Sequence, residues 1–497
     1  MILDLNKSFT ELQFVPRGVI VIGAHNGDEV GTYFSLGFKK IILIEANPGL
    51  ANGLRERYGD DERITIFSTA IANFNGHATL HVTNFDQSSS LLRLARHTEI
   101  YPTIHEIDQI EVNVCTLDHL FFCNSLNPND FNFLAIDIQG AELLALEGAT
   151  IILKQVEVVC CEFNRIEMYE GCALEGDLEK HLAAKDFYPY CSASPFHDSW
   201  GDVLFSRRRV YTMNSLGLLG RFGNQLFQYM FLRVLGEKSN AVTLSPAWLG
   251  DKIFDIESKE YRLSLPQVIE RDLTIVKRLP TIDPLHLLTC TTWDLPNSDL
   301  IGYFQLHTGI YQAYKGFIKD TFRFNDTFAG LIDGASSILR DGGKKIIAIH
   351  LRRGDYGDDQ FYIAPWTWYL DWIEARGLSS DDYVIYISSE EPEKFKGKFR
   401  GFTCATRHDL FDSSDSDLSI GFDFGMMVEA DVLCVSNSTF SIFASLLNQR
   451  ASSFARPRID FYALAEFEPW NTVILESAKC TSVVHQSLFE ADAADHQ

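Results

Sequence analysis

The residues best suited to chemistry follow short apolar runs. In KKIIAIHLRRGDY, His350, Arg352, Arg353 and Asp355 trail a segment that reads as a buried strand. On such a strand His350 and Arg352 share a face, while Arg353 points to the other or begins the turn. Paired guanidiniums at a strand edge suit a nucleotide diphosphate, because each forks onto phosphate oxygens and their charge stabilises a departing nucleoside diphosphate. A surface arginine pair capping Asp355 is the plainer use of the same residues. Asp355 is a candidate base for an acceptor hydroxyl, or a brace for either arginine. In LLGRFGNQLFQYMFLRVLGE (218–237), Asn224 sits where a glycine loop runs into an amphipathic helix; IGYFQ (301–305) follows. In DVLCVSNSTFSIFASLLN (431–448), Asn437, Ser438 and Thr439 stand between a strand and a helix. There they cap the helix or, with its free N–H groups, bind phosphate.

A second set lies near the start of the chain. VIVIGAHNGDEVGTYF puts Gly23, Asn26 and Gly27 directly after a strand, where small residues let backbone N–H groups approach a ligand and the next helix presents its positive end. About 20 residues on, IILIEANP places Glu45 at the tip of the second strand, fit to accept both ribose hydroxyls of a nucleoside, with Asn47 beside it. NAD, nucleotide or S-adenosylmethionine (SAM) binding all fit that pattern, as does a merely tight turn. Asp137, ending IDIQGAEL's strand, is a candidate base or orienter for a hydroxyl, or else a helix cap or the partner of a cofactor amine. Glu142 and Glu162 are its rivals, and His25 a minor helper.

These residues need parallel sheets to position them. GVIVIGA, KKIILIEA, ITIFSTAI, FNFLAIDI and VEVVCCEF read as strands buried on both faces with helices between. The cluster Arg207, Arg208, Arg209 closes this unit, so the expected domains are 1–209 and 210–497. The second divides into lobes at about 210–335 and 336–482, with a frayed tail at 483–497 and a solvated loop at FDSSDSD (411–417). At 497 residues and 46% hydrophobic composition, the chain has material for several cores. A net charge of −24 excludes wholesale binding to nucleic acid. The start, MILDLNKSFTELQF, predicts no signal peptide, and no run is long enough for a membrane helix. Ten scattered cysteines without CxxC spacing predict reduced core thiols, and with the rest a cytoplasmic protein with at most peripheral membrane contact.

Together with QSSSLL (87–92) and TLDHLF (116–121), IDIQGAEL and the glycine loop resemble the FkbM family of SAM-dependent methyltransferases over residues 15–207. The family's usual aspartate before Gly-Ala is Ile22 here. The resemblance implies a Rossmann-like methyltransferase domain with Gly23, Asn26, Gly27, Glu45 and Asn47 about SAM and Asp137 near the transferred methyl. Over residues 213–450 the four later strings resemble the α-1,2-fucosyltransferases of glycosyltransferase family 11, and GRFGNQ is similar to the loop of protein O-fucosyltransferases. That implies a GT-B fold of two Rossmann-like lobes, GDP-fucose as donor, inversion and no metal. Asn224, His350, Arg352, Arg353, Asp355, Asn437, Ser438 and Thr439 are carried over. The acceptor is expected to be an oligosaccharide or glycolipid of a surface polysaccharide or O-antigen. The rival expectation keeps the fucosyltransferase and makes the first domain a non-catalytic binding or scaffolding module.

Overall fold

The computed structural model describes residues 2–256, 265–271, 273, 279–290, 295–354, 357, 362–411 and 415–476. Two compact units emerge. The first comprises Met1–Val210 with the short pieces Asn240–Val242 and Leu295–Asn297, and the second takes the rest.

The first unit is built on strands β1 (Gly18–Ile22), β2 (Lys40–Glu45), β3 (Ile64–Ser68), β7 (Phe133–Ile136), β8 (Val158–Asn164), β9 (Tyr188–Ala193) and β10 (Trp200–Ser206). A small side sheet holds β4 (Ala70–Ile71), β5 (Gly76–Thr83) and β6 (Glu106–Cys115). The main order is β3-β2-β1-β7-β8-β10-β9. The first five run parallel, and β10 is antiparallel to both β8 and β9. Every residue of β1, β7 and β8 is buried, as a sheet covered on both faces requires. From β1 the chain winds first to β2 and β3, then to β7 and β8 on the other side. The tips of β1 and β7 therefore form the switch point at which such sheets bind ligands.

In the second unit one sheet has the order β12-β11-β15-β13-β14, from β11 (Val210–Thr212), β12 (Val242–Leu244), β13 (Gln267–Glu270), β14 (Thr281–Ile282) and β15 (Ser298–Ile301). The other runs β18-β17-β16-β19-β20-β21, from β16 (Lys345–Leu351), β17 (Tyr383–Ser389), β18 (Cys404–Ala405), β19 (Val432–Cys434), β20 (Ser453–Arg458) and β21 (Ala463–Glu466). All but β21 are parallel in that second sheet. The chain is thus an α/β protein whose large sheets are parallel-rich, with an antiparallel β5–β6 ladder in the side sheet. The helix Asp326–Leu339 spans the expected lobe boundary at 335/336, and its Ile332 packs on Gly425.

Two local expectations change. The helix Phe222–Ser239, read as amphipathic, buries 13 of its 18 residues, Gln225 and Gln228 among them. It is covered on most of its circumference, in part by the helix Thr439–Leu447, and so has no clean polar face. The acidic string at 411–417 ends as a helix start: Asp415 Oδ1 accepts the N–H groups of Asp417 (2.9 Å) and Leu418 (3.3 Å), while residues 412–414 lie outside the described residues. Nine cysteines are described and all are free; Cys480 and the tail from 483 onward lie outside the described residues. No helix among the described residues is long and apolar enough to cross a membrane.

Gly223 shows how tightly those two helices meet. A Cβ there would stand 2.5 Å from both Phe440 N and Thr439 Oγ1, inside the distance any real contact allows. Gly223→Ala should therefore cost about 1–3 kcal/mol of stability, read as a lowered denaturation midpoint of the second unit. An unchanged midpoint would mean that the helices part at little cost.

Candidate functional site

At the first unit's switch point the backbone comes before the side chains. Gly23 adopts φ +86°, and a Cβ on it would lie 1.9 Å from the carbonyl oxygen of Asp137. Only glycine lets the tips of β1 and β7 pass so closely. The expected backbone role changes here: the N–H groups of Gly23 and Ala24 both donate to Ile44 O (2.9 and 3.0 Å), so they are taken up within the sheet. The following helix, Val30–Ser35, has only six residues and offers little dipole. Side chains of the helix Pro48–Tyr58 pin the loop instead. Arg57 Nη1 donates to Asn26 O (2.6 Å) and Tyr58 OH to Gly27 O (3.0 Å).

Glu45 is buried at the tip of β2. Its Oε2 accepts His25 N–H and its Oε1 accepts Asn47 N–H, each at 2.8 Å. Burial pushes its pKa up, and the two N–H donors pull the other way. Asn47 itself caps the next helix through Gly49 N–H (2.9 Å), and His25 Nε2 faces Asp86 at 3.2 Å. Glu45 and Asn47 line a narrow cavity of about 70 Å³, which shares Gly23, His25, Asp137 and Gln139 with a chamber of about 1000 Å³. Asn26 and Gly27 line the chamber as well.

Five carboxylates line the chamber: Asp28, Glu29, Asp137, Glu162 and Asp202. No lysine or arginine among the described residues does. Gln139, held at φ +59°, donates through Nε2 to Asp137 Oδ1 (2.8 Å) and Glu162 Oε2 (2.7 Å). Tyr169 OH donates to Gln139 Oε1 (2.6 Å) and so fixes the amide's orientation. Burial, then the charge of Asp137, pushes the Glu162 carboxyl well above its usual range. Asp137 is exposed at the tip of β7, within reach of a ligand, whereas buried Glu162 holds its proton.

No side chain caps the following helix at its N-cap Ala141, so Asp137 has no capping role; Glu142, the first helical residue, folds back to accept Ile138 N–H and Gly140 N–H at 3.1 Å each. Glu142, raised to about 7 chiefly by burial, lines neither cavity and is thereby removed as a rival base.

In the second unit three strings meet at one atom. Asn224 Oδ1 accepts Gln305 Nε2 (2.9 Å) and Thr439 Oγ1 (3.1 Å). Gln305 is delivered by a loop pinned where Glu270 Oε2 accepts the N–H groups of Tyr303 (2.7 Å) and Phe304 (3.0 Å). Parallel register sets Leu351 against Ser389, so Arg352 and Glu390 follow side by side. Arg352 Nη1 pairs with Glu390, whose other oxygen accepts Arg353 N–H (2.9 Å). Arg353 is buried and lies 5.0 Å over the Phe395 ring, so neither guanidinium projects into bulk solvent.

His350 is buried against Ser436 Oγ (2.8 Å at Nδ1), and burial, then the two arginines, pushes its pKa down to about 3. It is a neutral hydrogen-bonding group at neutral pH. Asn437 forms a two-bond clasp with the backbone of Glu476, both at 2.9 Å, and Ser438 makes no side-chain cap. Asp355 lies outside the described residues. No group of His, Cys, Asp and Glu among the described residues is arranged to hold a metal.

A parallel sheet with a carboxylate-lined chamber at its switch point defines a Rossmann-like α/β domain with a ligand site at its strand tips. Residues 22–189 match the methyltransferase FkbM domain, and the first unit carries that domain. The 2-O-methyltransferase NoeI of Sinorhizobium fredii (strain NBRC 101917 / NGR234) is 26% identical over 178 residues, 34% of this chain and 72% of that protein. The solved FkbM methyltransferase from Methylobacillus flagellatus KT aligns over 38% of this chain and 43% of its own, less than half its length, at 17% identity and a TM-score of 0.27. NodZ α-1,6-fucosyltransferase, soaked with GDP-fucose, aligns over 52% of this chain and 99% of its own at 10% identity and a TM-score of 0.35.

Sequence reading missed Gln139, Tyr169 and Asp202 in the first unit and Glu390 and Glu270 in the second. Glu390 alone had a usable signal, the acid closing DYVIYISSE one place after its strand.

Asp202 provides a test. Burial raises its carboxyl to about 6, above the ordinary acid range. Between roughly pH 4 and 6 the folded state therefore binds more protons than the unfolded one, so this group's share of stability falls as pH rises and stays low above pH 6. Asp202→Asn, still able to accept Ile2 N–H, should raise stability at pH 8 by on the order of 1 kcal/mol and leave pH 4 unchanged. Equal shifts at both values would refute this.

Proposed function

We propose that the chain is a bifunctional glycan-modifying enzyme, a SAM-dependent O-methyltransferase acting on a sugar hydroxyl joined to a GDP-fucose-dependent, inverting α-1,2-fucosyltransferase. The observation that carries the reading is convergence. In each unit the residues singled out from separate strings meet at the C-terminal ends of parallel strands. The chamber fits SAM on its own chemistry, because a sulfonium is a cation and the lining is acidic without lysine or arginine among the described residues. Glu45 keeps lone pairs free of its two N–H partners for the ribose hydroxyls.

When bound, SAM supplies an electrophilic methyl on a positively charged sulfur. Asp137 accepts the proton of the acceptor hydroxyl, Glu162 stays protonated beside it, and Gln139 holds both. In the second unit Arg352 and Arg353 stabilise the charge developing on the diphosphate as the glycosidic bond breaks, the diphosphate displacing Glu390 from Arg352. His350 remains neutral and acts as a hydrogen-bond partner to Ser436. Asn224 and Thr439 shape the neighbouring surface. Both reactions on one chain favour sequential action on one oligosaccharide or glycolipid, in the cytoplasm, for a surface polysaccharide or O-antigen.

Three measurements test this. Candidate oligosaccharides incubated with SAM and GDP-fucose, separately and together, should gain a methyl, a deoxyhexose or both by mass spectrometry, and linkage analysis of the product should give the 1,2 position. Arg352→Ala should lower fucosyl transfer on the order of 100-fold and leave methyl transfer intact. Loss of both activities in a folded protein would refute independent sites. Asp137→Asn should lower methyl transfer on the order of 100-fold while calorimetry still detects SAM binding. A wild-type chain that takes up no SAM at millimolar concentration would leave the first unit as a scaffold.

A further inference from the structure

The chamber is larger than the reactive end of a cofactor needs, and its walls differ in kind. The carboxylates cluster about the strand tips, whereas Phe85, Tyr101, Phe196 and Trp200 line the same space with aromatic surface. Phe196 is 71% exposed and Phe85 49% exposed, a costly display for two phenylalanines that nothing in the fold requires.

The display is also ordered. The rings of Phe196 and Trp200 lie within 20° of parallel with centroids 5.9 Å apart. Trp200 opens β10 and is held by its indole N–H, which donates to Tyr101 OH (3.0 Å). The turn that carries Phe196 is braced by His197 Nδ1, which meets Ser199 Oγ at 2.7 Å and accepts Ser199 N–H at 3.1 Å. With its indole N–H already bonded, Trp200 offers a ring wall rather than a donor.

We infer that Phe196 and Trp200 form a stacking platform for the pyranose ring of an uncharged sugar acceptor, whose hydroxyl is thereby presented to the carboxylates of the same chamber. The inference rests on the methyltransferase reading and specifies its substrate class. A pyranose has one face of C–H groups, which packs on aromatic rings, and a rim of hydroxyls, which needs polar partners; the chamber supplies both. Its charge narrows the choice further. Besides protonated Glu162, four acidic side chains and no lysine or arginine among the described residues line the space, so a uronate, sulfated or phosphorylated ring meets repulsion that a neutral ring does not.

The test uses the full chain with S-adenosylhomocysteine and saturation-transfer NMR. Methyl α-L-fucopyranoside and methyl β-D-galactopyranoside are the neutral probes, and methyl β-D-glucuronide is the anionic one. At least one neutral probe should show strong ring-proton saturation that Phe196→Ala abolishes and Phe196→Tyr retains, with the glucuronide silent. For an acceptor that is methylated, Phe196→Ala should raise KM about ten-fold with kcat within about two-fold, and SAM affinity by calorimetry should not change. Phe196 is exposed, so the alanine variant should melt with the wild type. The inference is overturned if no neutral probe is saturated by the wild type, if Phe196→Ala binds sugar as well as the wild type, or if the glucuronide competes equally. Absence of SAM binding in the wild type would instead strike at the methyltransferase reading itself.

Discussion

Neighbouring parallel strands that end together throw the residues just past their ends into one small space. That constraint organises both units. Leu351 lies against Ser389, so Arg352 meets Glu390. Ile22 lies against both Ile44 and Ile136, so the Gly23 turn, Glu45 and Asp137 share one edge. Neither pairing is visible as a local motif. Each follows from the register between strands, which no single strand's sequence displays.

Crowding at those edges has an electrostatic price that the two units meet in opposite ways. In the first, carboxylates outnumber cations in a partly apolar chamber, so burial drives protons onto Glu162 and raises Asp202 and Glu142. Different surroundings thus give like groups different proton affinities, highest at Glu162 and lower at Glu142 and Asp202. In the second unit the crowding is cationic. Arg352 and Arg353 sit beside a buried imidazole that is kept neutral, and Glu390 offsets their charge.

Much of this was legible in the sequence, and the limits are physical. Continuous apolar runs such as FNFLAIDI and KKIIAIHL announced buried parallel strands, and the motifs that follow them stand at the C-terminal ends of those strands. The partners were not legible. Gln139 binds two carboxylates from different strands, and Glu270 pins a loop more than thirty positions away, so only the fold brings them to their targets. The loop holding Gly23, Asn26 and Gly27 was read as small enough for its N–H groups to reach a ligand; in the fold the Gly23 and Ala24 N–H groups donate to Ile44 O and the Gly27 N–H to Ala24 O. The Phe222–Ser239 helix misled through its two glutamines, whose amides bond Gly220 and Leu219 carbonyls instead of reaching water.

The contact at Asn224 has a mechanical consequence. Its amide oxygen joins Gln305, on a loop after β15, to Thr439, at the helix after β19, and Gly223 brings the two helix starts into backbone contact beside it. The segments that carry these residues are therefore tied together at that point. A motion that parts the strand end at β15 from the helix after β19 has to break these contacts or pivot about them.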